Sequence, residues 1–116
     1  LSKEPLLVTA DDDGDMVYGK VGDFFMVELD ENLTTGYSWT YTGISRGKPD
    51  ERVVVQSSTH YKEPGAEQAE VGVGGLRQTT YEAVGPGETT LRLVYVRPFD
   101  LSNPAKTFSV VFKVEG

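Results

Sequence analysis

Phe24-Phe25-Met26-Val27-Glu28-Leu29-Asp30 is followed, after a short break over 31–36, by Tyr37-Ser38-Trp39-Thr40-Tyr41. Phe25, Val27 and Leu29 fall on one face of the first run, and Tyr37, Trp39 and Tyr41 on one face of the second. A period of two belongs to a half-buried strand, because successive side chains of extended backbone point to opposite faces. The same alternation returns in Leu91, Leu93 and Tyr95 and in Phe108, Val110, Phe112 and Val114, while 53–55 and 76–84 complete the set. No uninterrupted stretch carries an apolar stripe at helical spacing, and the 13 glycines and 6 prolines fall where these runs must turn. The chain reads as all-β.

Strands of this length and number bury their apolar faces best as two packed sheets, so the expected architecture is an immunoglobulin-like antiparallel β-sandwich of about seven to eight strands. Trp39, flanked by Ser38 and Thr40 on the opposite face, is expected in the centre of the core. Residues 5–9 and 16–18 are expected as edge strands, with the acidic run Asp11-Asp12-Asp13-Gly14-Asp15 as the turn between them. Residues 61–71, containing Glu63-Pro64-Gly65 and further glutamates, are too polar to pack and are expected to be flexible. No linker or internal repeat divides residues 1–116, which read as one domain.

A chain of 116 residues buries roughly two-thirds of its unfolded surface and needs no metal or disulfide to do so. Its 18 acidic and 11 basic residues leave a formal charge of −7, which disfavours nucleic acid and anionic membrane surfaces as partners. Cysteine is absent, so there is no disulfide, thiolate metal site or cysteine nucleophile. No apolar run approaches the ~20 residues of a membrane span. The compartment stays open, export with a leader removed included.

If each long strand crosses the sandwich and the next returns, alternate connections share an end. Beginning at the strand over 24–30, the connections are 31–36, 44–51, 61–75, 85–88 and 97–106. The first, third and fifth emerge together, and they carry the three short motifs of the chain. In Asn32-Leu33-Thr34-Thr35-Gly36-Tyr37, Gly36 is suited to a positive φ that turns the loop back, and Thr34 and Thr35 offer hydroxyl and backbone groups at the tip. An ordinary turn would also use these residues. In Gly72-Val73-Gly74-Gly75 the backbone is unshielded and can lie along another protein's cleft, or simply close a hairpin. A phosphate loop is disfavoured, because no Lys-Ser or Lys-Thr follows and the motif opens onto a strand. In Arg97-Pro98-Phe99, Pro98 ends the hydrogen-bond ladder and presents Phe99 stiffly. Phe99 is either an interface anchor or a satellite core residue, and Arg97 either contacts a partner or braces its loop.

In this order the three motifs resemble the chagasin family of cysteine peptidase inhibitors, whose pattern is NPTTGY or NPTTGF, then GxGG, then RPW or RPF. The resemblance implies a reversible, competitive inhibitor of papain-like, cathepsin-like cysteine peptidases. It further implies a 1:1 complex, a monomer when free, and no cofactor. It places Thr34 and Thr35 as a central wedge beside the catalytic cysteine, with the Gly72 to Gly75 loop along one side of the cleft and the Arg97 to Phe99 loop along the other. Leu33 stands where proline is usual, which implies a less preorganised wedge, and Phe99 stands where tryptophan is frequent. Asn32-Leu33-Thr34 also spells an N-glycosylation acceptor; a sugar there would block the wedge, so Asn32 is expected to be unmodified.

Other function classes fit less well. His60 is the only histidine, which with no cysteine rules out a Cys-His pair or a zinc site of the usual ligands. Asp11, Asp13 and Asp15 imitate the start of a calcium loop, but Met16 and Gly22 stand where its glycine and final glutamate belong. The alternative is an immunoglobulin-like adhesion or carbohydrate-binding module, which an exposed row of Tyr18, Tyr61 and Tyr81 would favour.

Overall fold

The computed structural model describes residues 4–64 and 74–116. Alternation becomes eight strands among them: β1 (Leu6–Thr9), β2 (Met16–Lys20), β3 (Phe24–Glu31), β4 (Ser38–Tyr41), β5 (Val54–Lys62), β6 (Gly75–Ala83), β7 (Gly87–Val96) and β8 (Lys106–Glu115). They form two four-stranded sheets, ordered β1-β3-β6-β5 and β2-β8-β7-β4. The inward positions of both sheets meet in one core, where Phe25, Val27 and Leu29 of β3 and Tyr81 of β6 face Leu91 and Leu93 of β7 and Phe108, Val110 and Phe112 of β8. The Phe25 and Phe112 rings lie 4.7 Å apart and those of Tyr81 and Phe112 5.7 Å apart. Burying each such side chain contributes roughly 1.5–3 kcal/mol, so the alternating positions carry most of the driving force.

The two N-terminal strands do lie on sheet edges, but on different sheets, and each runs parallel to its neighbour. Leu6 pairs with Phe25 and Thr9 with Glu28 across β1 and β3; Met16 pairs with Val111 and Lys20 with Glu115 across β2 and β8. The other pairs are antiparallel. Parallel neighbours arise because the acidic run does not close a hairpin but carries the chain from one sheet to the other. Its acids have structural work: Asp12 Oδ2 accepts from Thr9 N at 2.9 Å, and Asp13 Oδ1 accepts from Ser109 N of β8 at 2.8 Å. The strand over 54–62 extends further than sequence suggests, taking Tyr61 and Lys62 out of the expected flexible segment; residues 65–71 of that segment lie outside the described residues.

Trp39 is not central. It is half-buried at the rim of the core, near the start of the short β4, and its Nε1 donates to the Asp30 carbonyl at 2.9 Å. Tyr81 of β6 lies in the core instead, 1% exposed, and its hydroxyl lies 3.0 Å from that of Tyr41. Tyr41 in turn donates to Gln56 Oε1 at 2.7 Å. Burial first, and then the Tyr41 hydroxyl, push the Tyr81 phenol well above its usual value of 10.0. The folded state therefore holds Tyr81 neutral while the unfolded chain can ionise it above pH 10, so its stabilisation is complete below pH 10 and is lost as pH rises further. Tyr81→Phe is expected to cost about 1 kcal/mol at neutral pH, for the lost hydroxyl pair, and to flatten the fall in stability above pH 10. Urea midpoints measured between pH 7 and 11 check both.

Candidate functional site

The strand register brings the three motif loops to one end. Glu31 pairs with Gly75, Leu76 with Lys62, Ser38 with Val96, and Lys106 with Tyr95. Connections 32–37, 63–74 and 97–105 therefore leave the same edge of the sandwich, while Tyr41 pairs with Leu93 and Val54 with Ala83 toward the other end.

The first loop is a 3-10 turn over Leu33–Thr35. Asn32 caps it: Oδ1 accepts from Thr34 N at 3.1 Å and from Thr34 Oγ1 at 2.7 Å. The Thr35 hydroxyl donates to the Asn32 carbonyl at 2.8 Å and accepts from Tyr37 N at 3.3 Å. Gly36 then takes φ of +81°, the left-handed conformation that ends the turn. These side-chain bonds stiffen the loop, although Leu33 lacks the fixed φ of a proline. Both threonine hydroxyls use their protons inside the turn, so they shape the exposed tip rather than offering free donors.

In the second loop Gly72 and Val73 lie outside the described residues. Gly74 and Gly75 serve close internal packing. A Cβ on Gly74 would stand 2.8 Å from Asn32 Cβ and 2.9 Å from the Glu31 carbonyl; one on Gly75 would stand 2.1 Å from the Lys62 carbonyl. Gly75 N donates to Tyr61 Oη at 2.8 Å. These glycines let the second loop's stem press against the first's.

The third loop turns through Pro98 and Phe99, closed by Asp100 N donating to the Arg97 carbonyl at 3.0 Å. Phe99 is 82% exposed, which excludes the satellite-core alternative. Arg97 braces: its guanidinium carbon lies 4.6 Å from the centre of the Tyr37 ring, within cation–π range, and so joins the third loop to the first. Tyr37 stacks on Tyr95 at 5.3 Å, Tyr95 meets Trp39 at 5.0 Å, and Lys106 Nζ lies 5.3 Å from the Tyr95 ring. The Tyr95 hydroxyl also accepts from Asn32 N at 2.9 Å.

Residues 19–114 match the family described as chagasin family peptidase inhibitor I42. This chain belongs to the chagasin family. It is therefore a member of a peptidase inhibitor family and not an enzyme. Chagasin of Trypanosoma cruzi is 24% identical over 94 residues, which cover 80% of this chain and 83% of that one. The cysteine protease inhibitor EhICP2 of Entamoeba histolytica superposes with a TM-score of 0.81 at 20% identity, covering 95% of both chains. PbICP-C, solved in complex with falcipain-2, superposes with a TM-score of 0.62 at 18% identity, covering 99% of this chain and 94% of that one.

Within this chagasin-family domain, sequence reading missed the residues beneath the loops. Glu31 is 2% exposed; its Oε1 accepts from Arg77 Nε at 3.0 Å and Nη2 at 2.7 Å, and its Oε2 accepts from Trp39 N at 3.2 Å. A signal was present: the inward positions Phe25, Val27 and Leu29 continue to Glu31, and Tyr81 and Thr79 of β6 lead back by twos to Arg77. A carboxylate and a guanidinium at inward positions of adjacent strands require each other. The tyrosine row that a carbohydrate-binding face would need is not formed: Tyr81 is buried, Tyr61 is half-buried on the same sheet, and Tyr18 is exposed on the other sheet.

Proposed function

We propose that this chain inhibits papain-like cysteine peptidases reversibly and competitively, in a 1:1 complex. Asn32, Leu33, Thr34, Thr35, Gly36 and Tyr37 would form the central wedge, flanked by Gly72, Val73, Gly74 and Gly75 on one side and Arg97, Pro98 and Phe99 on the other. The observation that carries this reading is the mutual bracing of the motif loops at one end of the sandwich, with Thr34, Thr35 and Phe99 left exposed. Membership of a peptidase inhibitor family supports it, as does the falcipain-2 complex of the structural relative PbICP-C.

Loops ordered before binding lose little conformational entropy on docking, so more of the contact energy appears as affinity. A standard interface of about 800 Å² per partner is within reach of three loops from one end of a sandwich. Phe99 supplies an aromatic anchor. The 3-10 conformation of Leu33–Thr35 would also resist cleavage in a peptidase cleft, since a helical turn cannot present the extended backbone of a substrate.

Titration against an active-site-counted papain-like peptidase tests this reading. Competitive inhibition that reaches completion at one equivalent, with the chain intact by mass spectrometry, is expected. A monomer is expected for the free protein by light scattering. Absence of inhibition across several papain-like peptidases, or inhibition that fades as the chain is cut, would overturn the assignment.

A further inference from the structure

The Glu31 carboxylate joins more than two strands. It closes the base of the first loop, since Glu31 precedes that loop and Trp39, whose N–H it accepts, follows it. Through Arg77 it reaches the second loop as well. The Arg77 guanidinium carbon lies 5.9 Å from the centre of the Tyr61 ring, and the Tyr61 hydroxyl holds Gly75 N. Trp39, Glu31, Arg77, Tyr61 and Gly75 thus form one connected path through both stems of the first loop and both stems of the second. It also crosses between the sheets, as β4 belongs to one and β3, β5 and β6 to the other.

We infer that Glu31 and Arg77 are positioning residues for inhibition, holding the first two loops at the separation a peptidase cleft requires. This rests on the inhibitor function proposed above. Stability alone is a weak reason for a buried ion pair, because well-packed apolar residues of similar volume often serve the fold as well or better. The pair here sits where the cost of desolvation is met by a directional reward: a forked guanidinium and a backbone N–H approach one carboxylate from two strands and fix its orientation. Losing the pair lets the loop stems separate, and only the fraction of molecules with correctly spaced loops then binds. Apparent affinity falls by that fraction.

Glu31→Gln and the apolar double variant Glu31→Leu/Arg77→Leu separate this role from a structural one. Inhibition is measured well below the unfolding midpoint, with the folded fraction read by circular dichroism and amide exchange followed at Asn32, Trp39 and Gly75. In Glu31→Gln, the inhibition constant is expected to rise about tenfold or more, mainly through slower association, with faster exchange at those amides. In the double variant the unfolding midpoint is expected to return toward that of the parent while inhibition stays weak, because no acceptor remains for Trp39 N. Arg77→Lys, which keeps the charge but not the fork, is expected to fall between parent and Glu31→Gln. A folded variant, single or double, with parental association rate and inhibition constant would overturn the positioning role. Failure of the parent itself to inhibit would instead remove the function on which the role rests, while the amide exchange would still report whether the pair orders the loops.

Discussion

Thr34→Ala/Thr35→Ala is expected to weaken peptidase inhibition by about 100-fold or more while leaving the unfolding midpoint nearly unchanged. The double change removes the Thr34 Oγ1 to Asn32 Oδ1 bond, the Thr35 Oγ1 to Asn32 carbonyl bond, and the acceptor for Tyr37 N. At about 0.5–1.5 kcal/mol net each, these bonds together are worth about two orders of magnitude in the population of the ordered turn. Little of that reaches global stability, because residues 33–36 are exposed and contribute nothing to the core. Inhibition constants beside thermal midpoints test the separation. Parental inhibition by the double variant would remove the threonine turn from the binding surface.

Gly75→Ala has the opposite signature: stability and inhibition fall together. Its new methyl would lie 2.1 Å from the Lys62 carbonyl and 2.8 Å from Tyr61 Oη, inside the β5–β6 pair. Relief requires the strands to part where Lys62 pairs with Leu76, and moving Tyr61 breaks its bond to Gly75 N. Overpacking of this kind costs about 1–3 kcal/mol or more. Because Gly75 also pairs with Glu31, the shift propagates to the base of the first loop, and inhibition is expected to weaken about tenfold or more even at temperatures where the variant is fully folded. Urea unfolding and inhibition assays on the same preparation give both numbers. A parental urea midpoint would show that the hairpin absorbs the methyl without parting.

These two variants separate what the motifs do. The threonines act at the surface. The described glycines act within the molecule, and their closeness to Asn32, Glu31 and Lys62 is a further reason for a motif whose bare backbone suggested an external contact or a simple hairpin closure. The same division applies to the third motif, where Phe99 stands exposed and Arg97 lies over Tyr37.

Alternation of Phe25, Val27 and Leu29, and of Phe108, Val110, Phe112 and Val114, was enough to establish the strands and their buried faces, because the period of side-chain direction is a property of extended backbone. Counting reversals then sufficed to collect the three motif loops at one end, since an antiparallel return needs only strand lengths. Gly36 and its positive φ were equally legible, being local. Partners distant in the chain were decided only by the tertiary structure. Which sheets β1 and β2 join, and in what direction, depends on where a crossing chain finds an open edge. That Trp39 lies at the rim of the core follows from β4 being short and at the edge of its sheet. Glu31 meets Arg77 46 residues away and Asn32 meets Tyr95 63 residues away. Local pattern specifies which way a side chain points, whereas what it meets there depends on the simultaneous packing of every other strand.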